Sequence, residues 1–144
     1  MVSINLVCVG SLKEKYLKDA CNEYIKRLSR FCKLQVVEID ESTPEKEMVS
    51  ICKKIEGYVI ALCIEGNKIS SEEFSEKLKV EMLRNSKFTF IIGGSAGLDE
   101  KVKKSADLQL SFSEMTFPHQ LMRVFLLEQV YRAFTIINGI TYHK

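Results

Sequence analysis

Two stretches of this chain hold residues whose types and spacing could do chemistry. The first is SFSEMTFPHQLMRVF, residues Ser111 to Phe125. It puts Ser113, Thr116 and His119 in one short turn and Arg123 four residues beyond the histidine. A spacing of four places His119 and Arg123 on one face of a helix. An imidazole can take or give a proton near neutral pH, and a guanidinium can hold a phosphate or a developing negative charge. The second stretch is FIIGGSAGL, Phe90 to Leu98, in which a strand runs into paired glycines. Glycines there let main-chain N–H groups come close to a ligand.

Both stretches also have plainer readings. Thr116 can cap a helix and Pro118 suits its first turn, so His119 could be a helix-entrance residue. Gly93, Gly94 and Gly97 do not spell G-x-G-x-x-G, and no G-K-[ST] follows, so the loop could be a tight turn. Ser113 lacks the sharp elbow of a hydrolase nucleophile. A metal site would need more ligands than His119 and His143, the two histidines of the chain. Serine-hydrolase and metalloenzyme readings therefore have little support, and no metal is expected.

The elements that must position these residues follow from hydropathy. Val2–Val9, Leu34–Ile39, Tyr58–Ile64, Lys87–Ile92 and Leu108–Phe112 read as short buried strands. Between them lie helical patterns. SLKE at Ser11 and SSEE at Ser70 have the form of capping boxes. Pro44 suits a helix start, and its helix carries Met48, Ile51, Cys52 and Ile55 as a thin apolar stripe. Phe74, Leu78, Met82 and Leu83 form the apolar side of the helix after Ser70. Asp99 is an expected N-cap, and a last helix runs from about Pro118 to Ile137, stopped by Asn138 and Gly139. Strands alternating with helices predict an α/β domain with a mostly parallel sheet flanked by helices. Ligands in such sheets sit beyond the carboxyl ends of the strands. That directs attention to the segments after Ile64, Ile92 and Phe112.

Composition bounds the rest. A chain of 144 residues with 46% apolar residues suits one domain, residues 1–144, with one core. The net charge of +2 does not argue for nucleic acid by itself. Lys13, Lys15, Lys18, Lys26, Arg27, Arg30 and Lys33 cluster near the start, either as a solvated helix face or as an RNA-facing one. Five cysteines without C-x-x-C spacing read as reduced, with Cys8 and Cys63 as small buried hydrophobes. The start lacks signal-peptide features and no apolar run approaches the roughly 18 residues of a membrane span. A cytoplasmic protein is expected. The last helix has Leu121, Met122, Val124, Phe125, Leu126, Leu127, Val130, Tyr131 and Phe134 almost all round its axis. Such a helix must be covered on all sides, which predicts a homodimer.

A glycine loop after the fourth strand, a Ser/Thr-rich loop after the fifth and an apolar terminal helix resemble the knotted methyltransferases of the SPOUT class. VGSLKEKYLKDACNEYIKRL, IIGGSAGL, LSFSEMTFPHQLMRVFLLEQVYRAF and the terminal YHK are together similar to the ribosomal RNA large subunit methyltransferase H family. The resemblance spans essentially the whole chain, with Asp40 to Glu56 shorter than is usual. It implies a C-terminal trefoil knot, and methylation of N3 of a pseudouridine in 23S rRNA with S-adenosylmethionine (SAM). It implies cofactor contacts at Leu62, Gly93, Phe112, Ser113, Glu114, Met115, Thr116 and Phe117. His119, Tyr142 and His143 become candidate bases or orienting groups, and Arg123 a candidate for a phosphate or the developing charge. Tyr142 and His143 could reach the pocket of a partner copy. A knotted methyltransferase acting on tRNA and a non-catalytic ribosome-associated module are the alternatives.

Overall fold

The computed structural model describes residues 1–144. Five strands, β1 (Val2–Val9), β2 (Cys32–Ile39), β3 (Tyr58–Lys68), β4 (Lys87–Ile92) and β5 (Leu108–Ser111), alternate with five helices. The helices are α1 (Lys15–Leu28), α2 (Pro44–Cys52), α3 (Ser71–Met82), α4 (Glu100–Ser105) and α5 (His119–Ile137). The strands form one sheet in the order β2-β1-β4-β3-β5, and every pairing is parallel. A parallel sheet needs cover on both faces, which explains why its strands read as continuous apolar runs.

The period of two along each strand divides the core between the faces. Ile4, Leu6 and Cys8 of β1 join Cys21 and Leu28 of α1, Phe74 and Leu78 of α3, and Leu126, Leu127 and Val130 of α5. Val7 and Val9 face the other way, onto Ile51 of α2 and Val102 of α4. Burying each such aliphatic or aromatic side chain stabilises the fold by about 1.5–3 kcal/mol.

Local signals succeed where no tertiary contact competes with them. Ser70 and Glu73 form the expected reciprocal box at α3. Thr43 accepts from Lys46 N at α2, and Asp99 accepts from Lys101 N at α4. Gly139, with φ +65°, reverses the chain after α5. The box expected at Ser11–Glu14 does not form: α1 starts at Lys15, behind an N-cap Glu14 whose side chain makes no capping bond. Gly10 just before it has φ +89°, and its carbonyl is held by Arg123 Nη2 at 3.2 Å. The chain is still extended at Glu14, four residues beyond that contact. Thr116 does not cap α5 either. The helix begins at His119 with Pro118 at the N-cap and no side-chain bond. A residue before proline is steered away from helical geometry, so the start lies beyond the reach of Thr116.

Other inward assignments also shift. Leu83 and Cys52 are exposed. Glu47 is buried instead, where its carboxylate accepts from Ser42 N at 2.7 Å. β3 runs past Ile64 to Lys68, and Leu62 and Asn67 both register with Leu110. The residues between them bulge from the ladder. Gly66 permits this, because a β-carbon there would lie 2.8 Å from the Gln109 backbone.

Candidate cofactor pocket

The sheet order brings β4, β3 and β5 side by side, so the loops beyond their carboxyl ends meet at one place. They enclose a cavity of about 760 Å³. Its wall takes Leu62, Cys63, Ile64 and Glu65 from the end and bulge of β3, and Ile92 to Leu98 from the glycine loop. Leu110 to Ser113 and Met115 to His119 come from the segment after β5, with Met122 from the first turn of α5.

Of the residues anticipated for the cofactor, Leu62, Gly93, Phe112, Ser113, Met115, Thr116 and Phe117 all line this cavity. Glu114 does not; it points to solvent and pairs with Lys68 Nζ at 3.3 Å. The loop after β5 is shaped by its own hydroxyls. Ser111 Oγ donates to Ser113 O at 3.1 Å, and Ser113 Oγ accepts from Met115 N at 3.0 Å. Phe117 is fixed edge-on against Phe125, with ring centroids 5.6 Å apart. Gly93 has a reason of its own to lack a side chain. A β-carbon would lie 2.9 Å from Gly97 C and 3.0 Å from Leu98 Cγ. The glycine therefore closes its own loop, whatever ligand the loop faces.

The four candidate catalytic residues separate. His119 lines the cavity, makes no side-chain hydrogen bond, and its Nε2 lies 3.5 Å from where a β-carbon on Gly10 would stand. Arg123, one turn on, is buried and is not in the cavity wall. Its Nη1 donates to Glu38 Oε2 at 2.8 Å, its Nη2 to Gly10 O, and its Nε has no partner. The guanidinium thus ties the ends of β1 and β2 to α5. Tyr142 and His143 lie away from the cavity of their own chain. They bind Glu128, Arg132 and Glu72 on the side of α3 and α5.

Several wall residues were not anticipated. Met122, three residues after His119, could have been found from helix spacing. Lys103 could not: it enters from α4 and lies between Glu65 and Glu100. That ion pair holds the Glu65 carboxyl below its ordinary value. Cys63 is half-buried in the wall, where burial pushes its thiol up. Cys8, packed in the core, is pushed by burial up to about 12, so it serves as an inert filler. No group of three or more His, Cys, Asp or Glu residues is placed to hold a metal. No helix is long and apolar enough to cross a membrane.

Residues 2–143 match the family described as "Predicted SPOUT methyltransferase". A ribosomal RNA large subunit methyltransferase H 1 of Clostridium perfringens is 51% identical over 159 residues, covering 99% of this chain and 100% of the relative. Proteins described as ribosomal RNA large subunit methyltransferase H from Streptococcus pyogenes and Leuconostoc mesenteroides are 50% and 52% identical, with the same coverage. The alignments run over 159 positions against 144 residues here, so the relatives carry positions that this chain lacks. Among solved structures, a probable methylase family protein from Haemophilus influenzae Rd KW20 superposes with a TM-score of 0.55 at 10% identity. The match covers 94% of this chain and 66% of that one, and it shows a shared fold.

Proposed function

This chain belongs to the SPOUT methyltransferase family, and from that premise we propose that it methylates N3 of a pseudouridine in 23S rRNA, with SAM as the donor. We propose further that it acts on the assembled ribosome, in the cytoplasm, as a homodimer of single-domain chains (1–144). The names of the relatives supply the substrate class. The observation that carries the reading is the meeting of the loops after β3, β4 and β5 in one cavity that has His119 in its wall.

The cavity fits the cofactor. Its volume of about 760 Å³ lies within the roughly 300–1,000 Å³ range of small-molecule sites. Leu62, Leu98, Met115 and Phe117 offer the flat apolar surfaces that an adenine needs, and the glycine loop leaves main chain bare beside them. When bound, SAM supplies a methyl group on a sulfonium that is already activated. The protein's work is then alignment and removal of the N3 proton of the base. Of the proton acceptors in the wall, Glu65 is paired with Lys103, and His119 has its ring nitrogens unpaired and able to accept that proton. Arg123 holds the first turns of α5, and so His119, against the ends of β1 and β2.

Two surfaces support the partners. Val124, Phe125 and Phe117 line a groove of about 520 Å³ between α5 and the start of α3, and Phe125 is 36% exposed. A second copy would cover it. On α1, Lys15 and Arg27 are paired with Asp19 and Glu23. Lys13, Lys18, Lys26, Arg30 and Lys33 are not paired within the chain and are offered to rRNA phosphates, contacts that position without reading sequence. We assign the positions missing here to the polar segment Asp40–Glu56, on the surface facing the ribosome.

The deciding experiment is mass mapping of 23S rRNA from cells lacking the protein. Loss of one N3-methyl mark on a pseudouridine is expected. An unchanged mark, or a lost mark on tRNA instead, would overturn the proposal. Light scattering should show a dimer at micromolar concentration.

A further inference from the structure

The cavity wall carries one carboxylate and one ammonium, those of Glu65 and Lys103, on a surface otherwise made of neutral side chains and the His119 imidazole. Both groups are placed by contacts between distant elements. Glu65 stands in the β3 bulge, between Leu62 and Asn67, and Gly66 beside it packs on the Gln109 backbone. Lys103 comes from α4, which Val102 anchors in the core. Gln109 Nε2 donates to Lys103 O at 2.9 Å, so one residue of β5 braces both groups. Lys103 Nζ then lies 2.5 Å from Glu65 Oε1 and 3.4 Å from Glu100 Oε1.

The Lys103 side chain is 17% exposed, against 56% for Glu65 and 72% for Glu100. The ammonium is thus the inner member, and the carboxylates lie toward solvent. The Glu65 carboxylate, and after it that of Glu100, raises the Lys103 ammonium above its ordinary value, so it stays charged at neutral pH. One ammonium facing two carboxylates leaves the cluster with a negative charge in excess.

SAM matches such a cluster by charge. Its aminoacyl end is a zwitterion, and its sulfonium gives the whole molecule a positive charge in excess. Taking a zwitterion out of water is costly unless both of its charges find partners. Exchange with the wall pair meets that need. The ligand carboxylate takes the place of Glu65 on Lys103, and the Glu65 carboxylate turns to the ligand ammonium. One ion pair becomes two, and no charge is left unpaired.

We infer that Lys103 and Glu65 recognise the aminoacyl end of the cofactor, Lys103 its carboxylate and Glu65 its ammonium. This inference rests on the SAM-dependent reading above. It adds which end of the donor the β3 bulge and α4 hold. Glu100 remains with Lys103 as its second partner.

Calorimetry on the full chain, without ribosomes, tests it with thioethers that share the adenosine and differ in the aminoacyl group. S-adenosylhomocysteine carries the whole group. Its decarboxylated analogue keeps the ammonium alone, and 5′-methylthioadenosine has neither charge. The wild type should bind them in that order of decreasing affinity, with about tenfold or more between the first and the last, as charge-assisted hydrogen bonds supply. Lys103→Met should bring S-adenosylhomocysteine down to the level of its decarboxylated analogue. Glu65→Gln should bring the decarboxylated analogue down to the level of 5′-methylthioadenosine. Neither substitution should change the affinity for 5′-methylthioadenosine itself. An ion pair that only braces the bulge predicts an equal loss for every ligand, and that result would overturn the inference. So would a wild type that binds 5′-methylthioadenosine as tightly as S-adenosylhomocysteine, a measurement that needs no variant. A wild type that binds none of these ligands would overturn the cofactor reading itself, and this inference with it.

Discussion

The cofactor pocket and the C-terminal clasp, in which Tyr142 and His143 bind Glu128, Arg132 and Glu72, are built by opposite means. The pocket wall is mostly glycine, aliphatic and aromatic surface, and its one imidazole makes no hydrogen bond. The clasp is a closed set of charged and hydroxyl groups in which both nitrogens of its imidazole are used. Two histidines on the same terminal segment thus meet contrasting surroundings. His119 keeps both ring nitrogens open to a ligand in the cavity, whereas those of His143 are occupied by groups of its own chain.

The largest effect should come from the unsatisfied histidine. His119→Gln should lower methyl transfer by about 10²–10⁴-fold, the usual contribution of a positioned acid or base, while thermal stability and SAM binding by calorimetry are retained. Full activity in this variant would remove the contrast between the two histidines.

Next comes the seam between the pocket and the sheet. Glu38→Ala would leave the Arg123 side chain, 5% exposed, without its carboxylate. Because Glu38 is itself 44% exposed, the expected cost in urea unfolding is about 2 kcal/mol, below the value for a fully buried pair. Arg123→Met should cost less, since it removes the buried charge that Glu38 would otherwise leave behind.

Gly93→Ala tests whether the loop is closed by contacts within itself. The new β-carbon would press on the Gly97 backbone, and about 1–2 kcal/mol of destabilisation is expected even without cofactor. A variant that is fully stable but fails to bind SAM would show that the glycine serves the ligand alone.

The smallest effect belongs to the clasp. Tyr142→Phe should cost about 1 kcal/mol, from one hydrogen bond to a partly exposed carboxylate. Burial, and then the Glu128 carboxylate, raise the Tyr142 hydroxyl above its ordinary value. An acid raised in the folded state contributes fully below its unfolded value of roughly 10 and loses that contribution as pH rises through the folded value. The wild type should therefore lose stability in alkaline solution more steeply than Tyr142→Phe, as followed by circular dichroism.

Much of this was legible before any coordinates. β1 and β4 fall on the residues that hydropathy picked out, because short buried parallel strands are continuous apolar runs. SSEE at Ser70 caps its helix, whereas SLKE at Ser11 has the same form and does not. The segment before α1 carries a contact that the one before α3 lacks: Arg123, 113 residues from Gly10, donates to the Gly10 carbonyl. No local pattern carries that information. The basic character of Arg123 suggested a phosphate contact, yet burial beside Glu38 gives it a scaffold role. Glu114 lies in the middle of the right loop, but the loop's own turn points it outward.

The sequence by itself determined which segments are strands and helices, that the sheet is parallel, and which loops end at its carboxyl edge. These follow from period, capping and burial, all of which act over a few residues. Only the tertiary structure decided that β3 lies between β4 and β5, which makes three loops into one cavity. It also decided that His119 is free while His143 is locked, because a side chain's partners come from elements far apart in the chain.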